Sequence, residues 1–257
     1  MKTHCSILFI IGFFFVTTVG YGKVSVSLNK QAVPLLPLSA IGTDPNSGKM
    51  DTALFRMFLD SNRSYVAEGT VHFNDLKKLF KETDTIQHPY AFVLDCIDSR
   101  VIPELCFKQT VGRIFTSRNA GNLARSIPGL GSLSFAINFK HVSCIIVLGH
   151  TNCGAIAGGI DFYNKTFDAI TAGPELTAIA KQISSTVVTK TIKEDRKHTL
   201  TPYISGNPRF VTAVAARNAQ LVATQIERHF PNIVNKRHIT VFKALYNTAD
   251  GRVTPIQ

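Results

Sequence analysis

Four short runs with little polar alternation restrict the fold of this chain most: "YAFVLDC", "GRIFTSRN", "VSCIIVLG" and "ITVFKALYN". A strand with one wet face alternates apolar and polar residues, whereas runs like these suit strands covered on both faces. Between them lie stretches with helical spacing: "GLGSLSFAINFKH", "GAIAGGIDFYN", "PELTAIAKQISSTVVTKTIK" and "FVTAVAARNAQLVATQIERHF". Strands alternating with helices specify an α/β fold with a mainly parallel central sheet and flanking helices. After the last run, the turn "ADG" and the segment "RVTPI" predict an antiparallel edge strand near the C-terminus. There is no internal repeat and no low-complexity tract.

This pattern occupies residues 50–257, a length that supports one domain with a self-sufficient core. It opens with "MDTALFRMFLDSNRSYVAEG", a helix by the spacing of Leu54, Phe55, Phe58 and Tyr65, with Asp51 placed to cap it. A second short helix is expected in "FNDLKKLFKET". Residues 23–49 carry turn residues and little helical period, and are read as an N-terminal arm. Residues 1–22 differ again. Lys2, the apolar "ILFIIGFFFV" and the small-residue exit "TTVGYG" describe a secretory signal peptide. A membrane anchor needs roughly 20 apolar residues, more than this run holds. Cleavage near Gly20 or Gly22 would remove Cys5, leave no membrane span, and deliver the chain to a periplasmic or extracellular space. In a eukaryotic secretory route alone, Asn62-Arg-Ser64 and Asn164-Lys-Thr166 would be glycosylation acceptors.

A formal charge of +11 raises the question of nucleic acid. The Lys and Arg residues are scattered, and no run of them alternates with aromatics, so a basic surface that attracts small anions is the better reading. Four cysteines remain after Cys5: Cys96, Cys106, Cys144 and Cys153. In an exported chain four cysteines suggest two disulfides. Cys96 and Cys153 keep other company, however, at the ends of two apolar runs: "CIDSR" sets a carboxylate and an arginine beside one, and "GHTNC" an imidazole beside the other. Cys106 and Cys144 suit small buried hydrophobes.

In open parallel sheets, ligands bind outside the carboxyl ends of the strands. Cys96 ends the first run and His150 follows the third, so both point to that edge. His150-x-x-Cys153 brings nitrogen and sulfur within one turn, and Cys153 would begin the next helix, where the dipole favours a thiolate. Two thiolates and an imidazole suit zinc, and three protein ligands is the catalytic count rather than the structural one. The H-x-x-C alone is equally compatible with two core cysteines. Asp98 and Arg100, two residues apart just beyond Cys96, favour the metal: a carboxylate beside zinc can take a proton, and a guanidinium can hold it ionised. As a plain surface ion pair they would do little.

"CIDSR" with "HTNC" is similar to the C-x-D-S-R and H-x-x-C signature of the β-class carbonic anhydrases. The resemblance extends through "RVIP", "GRIFTSRNAGN", "GSLSFAINF" and "VLGHTNCGAI", in order and spacing, over roughly residues 50–257. It implies one zinc ion per subunit on Cys96, His150 and Cys153, with Asp98 as the catalytic carboxylate paired to Arg100. It places Gln87 on the substrate and Phe115, Ala120 and Phe135 along a narrow apolar pocket, though Phe115 and Phe135 are also compatible with plain core packing. Phe135 stands where tyrosine is frequent and Ala120 where a branched aliphatic is. One subgroup carries a second, inhibitory bicarbonate site built with a tryptophan; Val93 stands there and the chain lacks tryptophan, so it resembles the subgroup without that site. The implied activity is reversible hydration of carbon dioxide to bicarbonate and a proton by zinc-hydroxide attack. The implied assembly is a homodimer or dimer of dimers, with the helix at residues 50–69 embracing the partner. His72, His88, His141, His198, His229 and His238 are all candidates for the proton shuttle. Two alternatives stay open: a zinc hydrolase of the same fold acting on carbonyl sulfide or carbon disulfide, and a non-catalytic zinc- or disulfide-stabilised secreted protein. A Cys-loop phosphatase is excluded by Ile102, where its phosphate-binding arginine would stand.

Overall fold

A computed structural model describes residues 48–68, 76–231 and 239–257. The expected signal peptide, nearly all of the arm, the Asp51 cap, His72 and His238 lie outside the described residues or side chains.

Five strands form one sheet in the order β2-β1-β3-β4-β5. They are β1 (Ala91–Asp95), β2 (Ile114–Arg118), β3 (Cys144–His150), β4 (Thr240–Tyr246) and β5 (Val253–Pro255). The first four run parallel, and β5 pairs antiparallel with β4. Each expected strand is present, shortened by one or two residues at its ends, except that β3 runs one residue further, to His150. All residues of β1 and β3 are buried, which is why neither run alternates.

Alternate side chains serve two cores. Phe92, Leu94, Ile145 and Val147 face α4 (Ile127–Asn138) and α8 (Pro208–His229), packing with Leu133, Ile137, Val222 and Ile226. Ala91, Val93, Ile146 and Leu148 face α1 (Gly48–Glu68), meeting Leu54, Phe55 and Phe58. Phe58 lies edge-on to Phe107 at 5.0 Å. The apolar face of α1 therefore covers the chain's own sheet, so an embrace of a second copy would have to use its other, polar side. Gly149 lets β3 approach α8 closely: a Cβ there would stand 3.2 Å from the Ala215 carbonyl oxygen.

Asn62 on α1 is 1 % exposed. It donates to the Cys106 and Gly251 carbonyls at 3.0 and 2.8 Å and accepts from Val253 N–H at 2.7 Å. Its amide is thus unreachable for glycosylation in the folded chain, correcting that expectation. Asn164 caps the end of α5 (Gly154–Tyr163) and donates to the Tyr203 carbonyl at 2.8 Å.

Among the helices, α2 is described over Leu76–Thr83, and the short α3 (Pro103–Cys106) was not foreseen. The helix expected from Pro174 is present and carries a π-helical turn within it. Asp168 caps α6 (Ala169–Ile183), whose first turn kinks at Gly173, where φ is 73° ahead of Pro174. A π turn (Ser184–Val188) then leads into α7 (Thr189–Glu194). Thr186 and Ser185 hydroxyls donate to the Gln182 carbonyl, competing with the helix's own amides.

Candidate metal centre

Parallel pairing sets the site. Asp95 lies opposite Leu148 in the β1–β3 register, so Cys96, one residue past β1, is carried to the same sheet edge as His150. The chain then turns through Asn152 (φ 54°) and returns Cys153 as the N-cap of α5. Donor atoms of Cys96, His150 and Cys153 lie within 4.8 Å of one another, and all three residues are buried.

The three suit a metal ion by more than proximity. The two sulfurs are 4.0 Å apart. A disulfide needs about 2.05 Å, whereas two sulfurs bonded at about 2.3 Å to one tetrahedral ion stand roughly 3.8 Å apart. Both cysteines are free thiols, as is buried Cys106, so the two-disulfide reading is set aside. His150 Nδ1 lies 2.8 Å from the Thr151 carbonyl, an acceptor only, which places the proton on Nδ1. Nε2 then offers a lone pair in a buried position with no hydrogen-bond partner among the described residues. A buried base left unpaired costs about 1–3 kcal/mol unless something binds it. The sulfurs tell the same story: the Cys153 thiol shares its proton with Cys96 and, with the Gly121 amide, holds the Cys96 thiol well below its ordinary range. Cys153, holding that proton, is pushed well up. A divalent cation takes the place of such a proton. Cys96, His150 and Cys153 thus fit zinc.

Asp98 and Arg100 stand beside this triad. Asp98 Oδ1 accepts from Arg100 N–H at 3.0 Å and Nε at 2.9 Å, and Oδ2 accepts from Nη2 at 2.7 Å. Nη2 also donates to the Asn152 carbonyl at 3.2 Å, tying the pair to the loop between His150 and Cys153. The Arg100 hydrogen bonds hold the Asp98 carboxyl down at about 2, and Arg100 is raised in turn. Asp98 Oδ2 is 3.9 Å from His150 Nε2, so the carboxylate borders the metal position.

The expected substrate residues are only partly gathered. Phe115 on β2 and Phe135 on α4 meet at 6.1 Å, and Phe139 stacks on Phe135 at 5.6 Å. Phe135 remains 44 % exposed, and Gln87 is exposed in the segment entering β1. Ala120, half-buried, precedes Gly121, whose N–H donates to Cys96 Sγ at 3.4 Å. In a single copy of the chain Gln87 and Phe135 are thus open to solvent. Of the shuttle candidates, His88, His141, His198 and His229 are exposed.

Three contributors were not foreseen: Asp95, Arg118 and Gly121. Asp95 and Arg118 are register partners on β1 and β2. Burial pushes the Asp95 carboxyl up to about 8, with Arg118 pulling it back. The signal was an acidic residue closing the apolar run "AFVLD", since a charge fully inside a sheet needs a partner. Gly121 takes φ 76°, a conformation that favours glycine, and so turns its amide onto the sulfur; nothing in its spacing announces that contact.

A parallel α/β sheet bearing two cysteines and a histidine at its carboxyl edge, with a clamped carboxylate beside them, defines a catalytic metalloprotein. The carbonic anhydrase family model matches residues 91–253, more than half of the chain, so the chain belongs to the carbonic anhydrase family. It is 29 % identical to a carbonic anhydrase of Mycolicibacterium smegmatis over 209 residues, covering 81 % of this chain and 94 % of that one. Over 87 residues it is 40 % identical to a carbonic anhydrase of Pseudomonas aeruginosa, covering 31 % and 38 %. Its fold is that of the β class. A tetrameric β-carbonic anhydrase of Sordaria macrospora superposes with a TM-score of 0.60 at 19 % identity, covering 79 % of this chain and 97 % of that one. The Coccomyxa β-carbonic anhydrase in complex with acetazolamide gives 0.58 at 21 % identity, covering 77 % and 84 %.

Proposed function

We infer that this chain is a zinc-dependent carbonic anhydrase, interconverting carbon dioxide and water with bicarbonate and a proton. The observation that carries it is the buried Cys96–His150–Cys153 triad beside an arginine-clamped carboxylate. Cys96, His150 and Cys153 would hold zinc, whose Lewis acidity makes water a nucleophile near neutral pH. Asp98 then serves as the nearby proton acceptor. It is ionised well below neutrality, and Arg100 holds both of its oxygens in place. The His150 ring is locked in one tautomer by Thr151. Phe115, Ala120 and Phe135 are proposed to form the apolar wall against which carbon dioxide rests, and Gln87 to hydrogen-bond it.

That wall needs a second copy. β2 is the edge strand of the sheet, only partly buried, and Phe135 and the 71 % exposed Phe139 stand beside it. We propose a homodimer, or dimer of dimers, formed on this side. The N-terminal apolar segment supports export to a periplasmic or extracellular space. Among the described residues, no helix is long and apolar enough to cross a membrane.

Stopped-flow hydration of carbon dioxide by the purified chain, with zinc measured on the same sample, tests the reading. Rapid turnover with about one zinc per chain is expected. Hydrolysis of carbonyl sulfide or carbon disulfide without carbon dioxide hydration would replace it by the hydrolase alternative. Metal-free, inactive protein would leave only the structural one.

A further inference from the structure

Arg118 makes no contact with the three metal-site donors' side chains in the hydrogen-bond network, yet it is fastened to the loop that carries two of the site's working groups. Its Nε donates to Asp95 Oδ2 at 3.1 Å and to the Cys96 carbonyl at 3.3 Å. Its Nη2 donates to the Asp98 carbonyl at 2.8 Å and the Val101 carbonyl at 2.6 Å. One guanidinium thus pins three carbonyls across residues 96–101, a segment with no regular secondary structure. The anchor is rigid: Asp95 is 0 % exposed, lies inside β1, and is the register partner of Arg118. The remaining backbone ties of this loop are Ile97 N–H to the Asn119 carbonyl at 3.3 Å, Val101 N–H to the Asp98 carbonyl at 2.9 Å, Arg100 N–H to Asp98 Oδ1 at 3.0 Å, and Asp98 N–H to the Cys96 sulfur.

We propose that Arg118, seated on Asp95, is a positioning residue that sets the Asp98–Arg100 pair against the Cys96–His150–Cys153 triad. The planar fork suits the task, because it meets several acceptors at fixed angles where an ammonium acts as a single point. Cys96 is less dependent on it. That sulfur sits one residue beyond β1 and is held from the other side by the Gly121 amide. Loss of the fork should therefore loosen Asp98 while leaving the metal donors gathered.

This inference rests on the carbonic anhydrase reading, and a double-mutant cycle separates the two. Arg118→Met and Arg118→Lys are each made alone and with Asp98→Asn, then assayed for carbon dioxide hydration, zinc content and melting temperature. If the wild-type chain binds zinc and hydrates carbon dioxide, the functional reading stands whatever the Arg118 variants do. With Arg118 acting through Asp98, Arg118→Met lowers kcat about 10- to 100-fold, the range for a catalytic group displaced by about 1 Å. Zinc stays near one per chain, Arg118→Lys falls between Met and wild type, and adding Arg118→Met to Asp98→Asn costs less than about threefold more. A full, multiplicative loss in the Asp98→Asn background overturns the proposal, as does wild-type kcat in Arg118→Met. Should Arg118→Met fail to fold, Arg118→Lys decides by the same cycle: equal losses with and without the Asp98 carboxylate refute positioning.

Discussion

Replacing Asp98 by asparagine changes one atom and tests the site's chemistry with little disturbance of its frame. In the structure Oδ1 accepts two hydrogen bonds, from Arg100 N–H and Nε, while Oδ2 accepts one from Nη2 at 2.7 Å. Asparagine keeps the first two by leaving its carbonyl at Oδ1. Its NH2 group then faces the Arg100 donor, so one charge-assisted bond becomes a donor–donor contact, and no basic oxygen remains beside His150. Arg100 is half-exposed, so the loss of the pair should cost at most about 1 kcal/mol of stability, a shift of roughly 2–4 °C in Tm for a domain of this size. Zinc content should not change, because Cys96, His150 and Cys153 are untouched. The kinetic cost is larger: removing a positioned proton acceptor lowers turnover about 10²- to 10⁴-fold. Stopped-flow hydration with a pH indicator, beside zinc analysis, measures both. A variant that keeps its zinc and turns over within about threefold of wild type would refute the assignment of Asp98 as the proton acceptor.

Further outcomes follow from other parts of the molecule. Asn62→Ala removes three hydrogen bonds, two of them buried, that join α1 to α3 and the C-terminal hairpin; a loss of about 2–4 kcal/mol is expected in denaturant unfolding, and a loss under about 0.5 kcal/mol would contradict this role. Asp95 has a folded pKa raised to about 8 against roughly 3.9 unfolded, so its contribution is fully present below about pH 4 and fades as pH rises through 8. Asp95→Asn should therefore gain stability relative to wild type between pH 5 and pH 8, read by Tm; a difference that is flat or falls with pH would show the shift to be absent. Phe139→Arg, on the exposed α4 end, should lower the mass in sedimentation while leaving monomer folding intact, and an unchanged assembly would move the interface elsewhere.

Much of the fold was legible because burial on both faces leaves a plain mark. β1 and β3 read as unbroken apolar runs, and their parallel pairing followed from the helices between them. The metal triad was legible because Cys96, His150 and Cys153 sit at strand and helix ends that one topology brings together. The turn from Ala169 ahead of Gly173 and the π turn at Ser184–Val188 were not, since they depend on Gly173 turning to positive φ and on serine and threonine hydroxyls competing for carbonyls. Nor was the location of Asn62: a sequon reads as surface, while three hydrogen bonds and α1 packing draw it inside. The substrate wall was the least legible element. Gln87, Phe115, Ala120 and Phe135 follow from resemblance alone, and in a single chain Gln87 and Phe135 are exposed. Arg118 escaped notice because its role is a set of contacts to carbonyl groups, which leave no trace in residue type.

The most direct measurement is X-ray absorption at the zinc edge on the chain as purified under reducing conditions. The account expects about one zinc per chain with two sulfur neighbours near 2.3 Å and nitrogen or oxygen neighbours near 2.0–2.1 Å. A first shell without sulfur, or a chain that binds no zinc and whose Cys96 and Cys153 are joined to each other, would contradict it.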